Sequence, residues 1–172
     1  MKKTELNPNQ IITLNDYPLY SNDVMSSYLD RCRMGEDLPS VPIISKDIVR
    51  GHFGAELSKI FGEFERQNAA AEYFMLDGSH RTTALTLSCR TITAVIYETD
   101  GDIDEARELV ATGQILQNAT LDHTVEENCE ILNRHFAERP YFMTVLQKTE
   151  KLVQEDCIPA QVLTSSGLGK QK

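Results

Sequence analysis

Hydrophobic positions along the chain fall into two spacings. Short apolar runs at 11–14, 41–44 and 73–76, and an alternating β-branched run at 91–97, read as strands. Helical spacing carries Val24, Met25, Tyr28, Leu29 and Cys32 across 21–34, with Gly35 as the stop. It also carries Ala84, Leu85 and Leu87 across 79–89, with Ser79 placed to cap the start. Pro39 and Pro42 predict that the 41–44 strand lies at an edge or enters the sheet there. Residues 1–10 are polar and predict a mobile end.

The 47–71 stretch opens with RGHFG, whose two glycines predict a loop around His52 and Phe53. Leu57, Ile60, Phe61 and Phe64 then mark an amphipathic helix. Asp102, with Glu105 three residues on, starts a further helix through Ile103, Ala106, Leu109 and Val110. Residues 118–123 read as a linker. Thr124 and Glu127 form a capping box before Val125, Cys129, Leu132 and Phe136, and Arg139-Pro140 stops that helix. Phe142, Val145, Leu146, Thr149, Leu152 and Val153 support a last helix, so the two predict a C-terminal helical hairpin. The expected fold class is α+β: a small mixed sheet with packed helices over residues 11–117, and a helical appendix over 124–157.

The chemistry gathers where the 73–76 strand meets the 79–89 helix. Asp77-Gly78 is turn chemistry, and a helix that starts directly after a strand offers unpaired N–H groups and a positive dipole end to a phosphate. Arg81 in the first helical turn has the forked donors that suit phosphate oxygens. His80 suits a donor or a base. Asp77, at the strand end, suits a carboxylate that orients a nucleophile or holds Mg²⁺. Asp-Gly also makes a plain turn, and Asp77 with Arg81 also makes a structural ion pair.

The stretch LDGSHRTTAL, followed by TITAVIY, resembles the signature of the ParB/sulfiredoxin-like superfamily. Its members carry DGHHR in free serine kinases, GCHR in sulfiredoxin and a GERR-type motif in ParB partition proteins. The resemblance is specific over 72–97 and extends over about 14–117. It implies that Gly78, Ser79, His80, Arg81 and Thr82 hold nucleotide phosphates, that Asp77 and His80 are catalytic, and that Asp77 carries the metal. ATP or ADP with Mg²⁺ is the implied cofactor, and phosphotransfer to a small hydroxylated molecule the implied activity. Free serine kinases carry a catalytic glutamate after their first strand. This chain has no glutamate from Asn7 to Met34, which leaves Asp16 or Asp23 as substitutes. Sulfiredoxin chemistry fails at Ser79, which stands where that enzyme has its reactive cysteine. Usually only a short hairpin separates these strands in the superfamily, so 47–71 is an insertion. It reads as a surface helix on the sheet or as a lid.

Charge narrows the partners. The 172 residues carry a formal net charge of −9, 41 % hydrophobic and 25 % charged residues, the profile of a globular chain. That balance opposes a broad nucleic-acid surface and a nuclease role, and no basic recognition helix is present. A ParB-type regulatory module remains the alternative to an enzyme. The four cysteines are scattered without zinc spacing, and Cys32, Cys89 and Cys129 fall in apolar helical patterns that predict buried free thiols. With no apolar signal segment and no membrane-length run, the expectation is a cytoplasmic protein.

Overall fold

A computed structural model describes residues 1–16, 21–155 and 157–158. Among them, β1 (Lys2–Leu6), β2 (Ile11–Ile12), β3 (Val41–Ser45), β4 (Tyr73–Met75) and β5 (Ile92–Ile96) form one mixed sheet in the order β1-β5-β3-β4-β2. β3 runs parallel to β5 and antiparallel to β4, while β2 runs parallel to β4. The helices are α1 (Asn22–Arg33), α2 (Lys46–Arg50), α3 (Ala55–Gln67), α4 (Ser79–Leu87), α5 (Asp100–Val110), α6 (Val125–Glu138) and α7 (Val145–Gln154). The fold class is α+β, as expected.

Strand alternation sorts the core. Ile11, Ile43, Met75, Ile92, Ala94 and Ile96 pack on one face with Leu85 of α4, Cys32 of α1 and Val145 of α7. Ile12, Ile44 and Phe74 point to the other face, against Phe61 and Phe64 of α3 and Cys129, Leu132 and Phe136 of α6. Val95 of β5 and Tyr97 just after it meet Ile103 and Ala106 of α5 on that second face.

Several expectations change. The 1–10 segment is ordered: β1 pairs antiparallel with β5, from Lys2 opposite Ile96 to Leu6 opposite Ile92. Its hydrophobic signal is faint because it is a solvated edge, where only Leu6 is buried and Glu5 accepts from the Thr91 and Thr93 hydroxyls. β3 is central and not an edge, and Pro42 sits at its entry, the other place expected for it. Leu76 donates to the Pro42 carbonyl at 2.9 Å, at the point where β4 ends. The missing proline N–H therefore falls opposite the end of a neighbouring strand, and this releases the chain into the Asp77-Gly78 turn. α5 is capped by Thr99, with Asp102 as the reciprocal partner rather than the cap. Residues 119–122 are not an open linker: they form a 3₁₀ turn that buries Thr120 and Leu121.

The 47–71 stretch folds as α2, a turn and α3 on the face opposite α4. Phe53 is buried there among Phe61, Phe74, Phe136 and Phe142. Arg50 forks onto Glu65 and ties α2 to α3. The surface-helix expectation holds and the lid does not.

The C-terminal helices are also not a hairpin set apart. α7 packs on α4 and on the 3₁₀ turn at Pro8–Gln10, while α6 packs on α2. Both cores above contain residues from 11–117 and from 124–157, so the expected boundary does not divide separately packed units. Cys32 and Cys129 are buried free thiols, and burial pushes the Cys129 thiol up to about 11. Cys89 is exposed, because α4 ends at Leu87 and Cys89 turns the chain with φ +56°. No helix among the described residues is long and apolar enough to cross a membrane.

Candidate functional site

The junction between β4 and α4 is built around Gly78. Its φ is +112°, a conformation that L side chains rarely adopt. A Cβ there would lie 3.1 Å from Arg81 Nη2 and 3.3 Å from both Val41 methyls. Gly35 also has positive φ (+76°) but open space around it. Gly78→Ala is therefore expected to lose at least the roughly 1–3 kcal/mol of backbone strain, and more than Gly35→Ala, in urea denaturation. Equal losses would show that the packing under Gly78 is slack.

Gly78 is the N-cap of α4 and has no side chain with which to cap it. Ser79 is thus the first helical residue and not the cap, one position later than expected. Its hydroxyl is buried, with the residue 8 % exposed, and has no hydrogen-bond partner. His80 Nε2 is likewise buried without a partner. Such orphaned polar atoms are uncommon in folded proteins and call for an explanation.

A cavity of about 210 Å³ opens beside these groups. Asp77, Gly78, Ser79, His80 and Arg81 line it, together with Leu14 and Asp16 from the loop after β2, Val24 and Tyr28 of α1, and Leu116. Five of the six residues expected at the turn are thus brought together. Thr82 is not among them: its hydroxyl donates to the Gly78 carbonyl at 2.9 Å and lies inside the helix. Of the two substitutes for glutamate, Asp16 reaches the cavity and Asp23 does not; His52 does not either.

Arg81 is placed differently from a free phosphate clamp. It is 2 % exposed and donates from Nη1 to the carbonyls of Pro39 at 3.1 Å and Ser40 at 3.2 Å, and from Nη2 to Asp77 at 3.3 Å. The guanidinium therefore fastens the segment entering β3 to the start of α4. Asp77, 47 % exposed, stays open to the cavity.

Sequence reasoning missed the residues that secure the opposite wall. Lys148 of α7 is buried and ion-paired with Asp16. Its signal was present in the helical spacing, since Val145, Lys148, Thr149 and Leu152 are the buried stripe of α7, with a lysine at an inward position. Asn15 is held by the same C-terminal region: its Nδ2 donates to the carbonyls of Arg139 and Tyr141, both at 2.8 Å, and its N–H donates to His135 Nε2 at 2.8 Å.

Burial keeps His80 at the cavity and His135 behind the loop after β2 below the ordinary histidine range. For His80 the nearby Asp16 opposes that shift and Lys148 adds to it; for His135 Asp16 again opposes it. A base whose folded pKa is depressed binds fewer protons folded than unfolded, so stability is complete above the unfolded value, about 6.5, and falls as pH drops below it. Urea midpoints are expected to fall between pH 7.5 and 5.5. Glu5, Glu65, Asp102 and Glu127, all held below the ordinary carboxylate range, titrate below that window. His135→Gln should reduce the loss, and a pH-independent midpoint would refute this assignment.

No protein-family model, curated protein or solved structure matches this chain. Among the described residues, no three His, Cys, Asp or Glu side chains gather into a metal-holding cluster.

Proposed function

We propose that the chain binds a nucleotide through its phosphates at the start of α4 and transfers a phosphoryl group to a small hydroxylated acceptor, as a ParB/sulfiredoxin-like enzyme. The observation that carries this reading is the uncapped helix start with two orphaned buried groups, Ser79 Oγ and His80 Nε2, beside one cavity. An anion accepting from the first N–H groups of α4 and from Ser79 would answer the missing cap.

The two open carboxylates, Asp16 and Asp77, suit Mg²⁺, which is held by one or two carboxylates plus phosphate oxygens. Bound there, the ion would neutralise phosphate charge. His80, kept neutral by burial, is placed to accept the proton of an acceptor hydroxyl, and Asp16 beside it to orient that hydroxyl. The free buried thiols fit a reducing, cytoplasmic setting.

One observation favours a second reading, a regulatory nucleotide-binding module without transfer. Arg81, the cation nearest the cavity in the motif, has its guanidinium on main-chain carbonyls. Calorimetric titration of ATP and ADP with Mg²⁺, followed by turnover with small hydroxylated acceptors, separates the two. His80→Gln is expected to lower turnover roughly 10²- to 10⁴-fold, the usual range for a general base, with nucleotide affinity kept. Binding without turnover supports the module, and no binding of either nucleotide overturns both readings.

A further inference from the structure

The loop after β2 is seated by the far end of the chain. Thr13 N–H donates to the Met143 carbonyl at 2.9 Å, and Arg139 Nη1 donates to the Asn15 carbonyl at 2.8 Å. At the centre lies Lys148, 1 % exposed, whose ammonium donates to Asp16, to Thr13 Oγ1 at 3.3 Å and to the Leu14 carbonyl at 3.5 Å. All three acceptors belong to residues 13–16, so the three donors of one ammonium fix where that loop lies.

A buried lysine is costly, and nothing in the seat of α7 against α4 requires one. Its neighbours on the inward stripe are Val145, Thr149 and Leu152. The charge is instead directed at Asp16, which is 41 % exposed and lines the cavity beside His80. Each open carboxylate of the cavity is thus anchored by a buried cation from behind: Asp77 by Arg81, Asp16 by Lys148.

We infer that Lys148 is a positioning residue of the α4 cavity, holding the Asp16 carboxylate at the wall beside His80, so that the C-terminal helix completes the site. The part played by Asp16 in orienting an acceptor rests on the phosphotransfer reading above; the placement of Asp16 and its charge beside His80 does not.

The test is an NMR titration of the His80 imidazole in the full chain, alongside turnover and Mg²⁺-ATP affinity. In wild type, Asp16→Asn is expected to lower the His80 midpoint, because the carboxylate is held beside the imidazole; in Lys148→Met, with Asp16 released from the wall, the same substitution is expected to move it much less. Lys148→Arg should remain near wild type. Thr149→Val, on the same buried face, should lower stability without moving His80. Turnover in Lys148→Met should fall about tenfold or more. An Asp16→Asn shift of His80 as large in Lys148→Met as in wild type, or one equally reduced in Thr149→Val, overturns the inference. If wild type binds no ATP, the phosphotransfer reading fails and the His80 midpoints alone decide the role of Lys148. If Lys148→Met does not fold, Lys148→Gln, which keeps hydrogen bonds without the charge, takes its place with the same outcomes.

Discussion

Arg81→Met is expected to lower the stability of the fold by about 2–5 kcal/mol, since two main-chain carbonyls lose a charged donor and each unsatisfied group costs about 1–3 kcal/mol. At this chain length that corresponds to a fall on the order of 10 °C in melting temperature. Methionine fills much of the same volume but supplies no donor. The carbonyls of Pro39 and Ser40 would lose the Nη1 hydrogen bonds, and the segment entering β3 would lose its tie to α4. The Asp77 pair contributes little to this loss, because Asp77 is nearly half exposed and water screens it. Asp77→Asn should therefore cost under about 1 kcal/mol. Arg81→Lys should fall between the two, since one ammonium lacks the planar fork that reaches both sides at once. Thermal and urea denaturation of the three variants check the order. If Arg81→Met unfolds like wild type and instead loses nucleotide affinity, the guanidinium serves a ligand and not the strand-to-helix junction.

Phe136→Ala is expected to cost about as much, roughly 3–5 kcal/mol for a buried aromatic truncated to alanine. Phe136 is fully buried. Its ring centroid lies 4.7 Å from that of Phe142, 5.4 Å from Phe74 of β4 and 6.4 Å from Phe53. The cavity left would open among rings from four separate parts of the chain, where α3, the sheet and the C-terminal region meet. The decisive feature is cooperativity. Calorimetry should show a single transition moved to lower temperature, because α6 and β4 share this cluster. A separate early transition, with the remainder melting as in wild type, would mean that residues 124–157 fold as an independent unit.

The junction and Lys148 show how far local signal reaches. The β4–Gly78–α4 unit was legible because each part of it is set by near neighbours: an apolar run, a glycine in a backbone conformation that L side chains rarely adopt, and apolar helical spacing after it. The exact cap was not, since Ser79 capping and Ser79 as first helical residue differ by one position and follow from where Pro42 ends the ladder with β4. Likewise, the motif suggested a free Arg81, but whether a guanidinium faces a ligand or a carbonyl depends on a segment some forty residues upstream.

Amphipathic spacing by itself marked the longer helices of the described residues but not the five-residue α2, because period is a property of consecutive residues and a single turn or so is too short to show it. It also placed four of the five strands and the start of α6, through side chains that act within one turn or one pleat. It could not determine β1, whose polar face is solvated and whose pairing energy comes from β5. Nor could it decide that α7 delivers a buried lysine to the loop after β2, or that the 47–71 stretch packs away from the cavity. Those outcomes belong to tertiary structure, since an inward-facing charge or a phenylalanine acquires its role only from the side chains that meet it across the sheet.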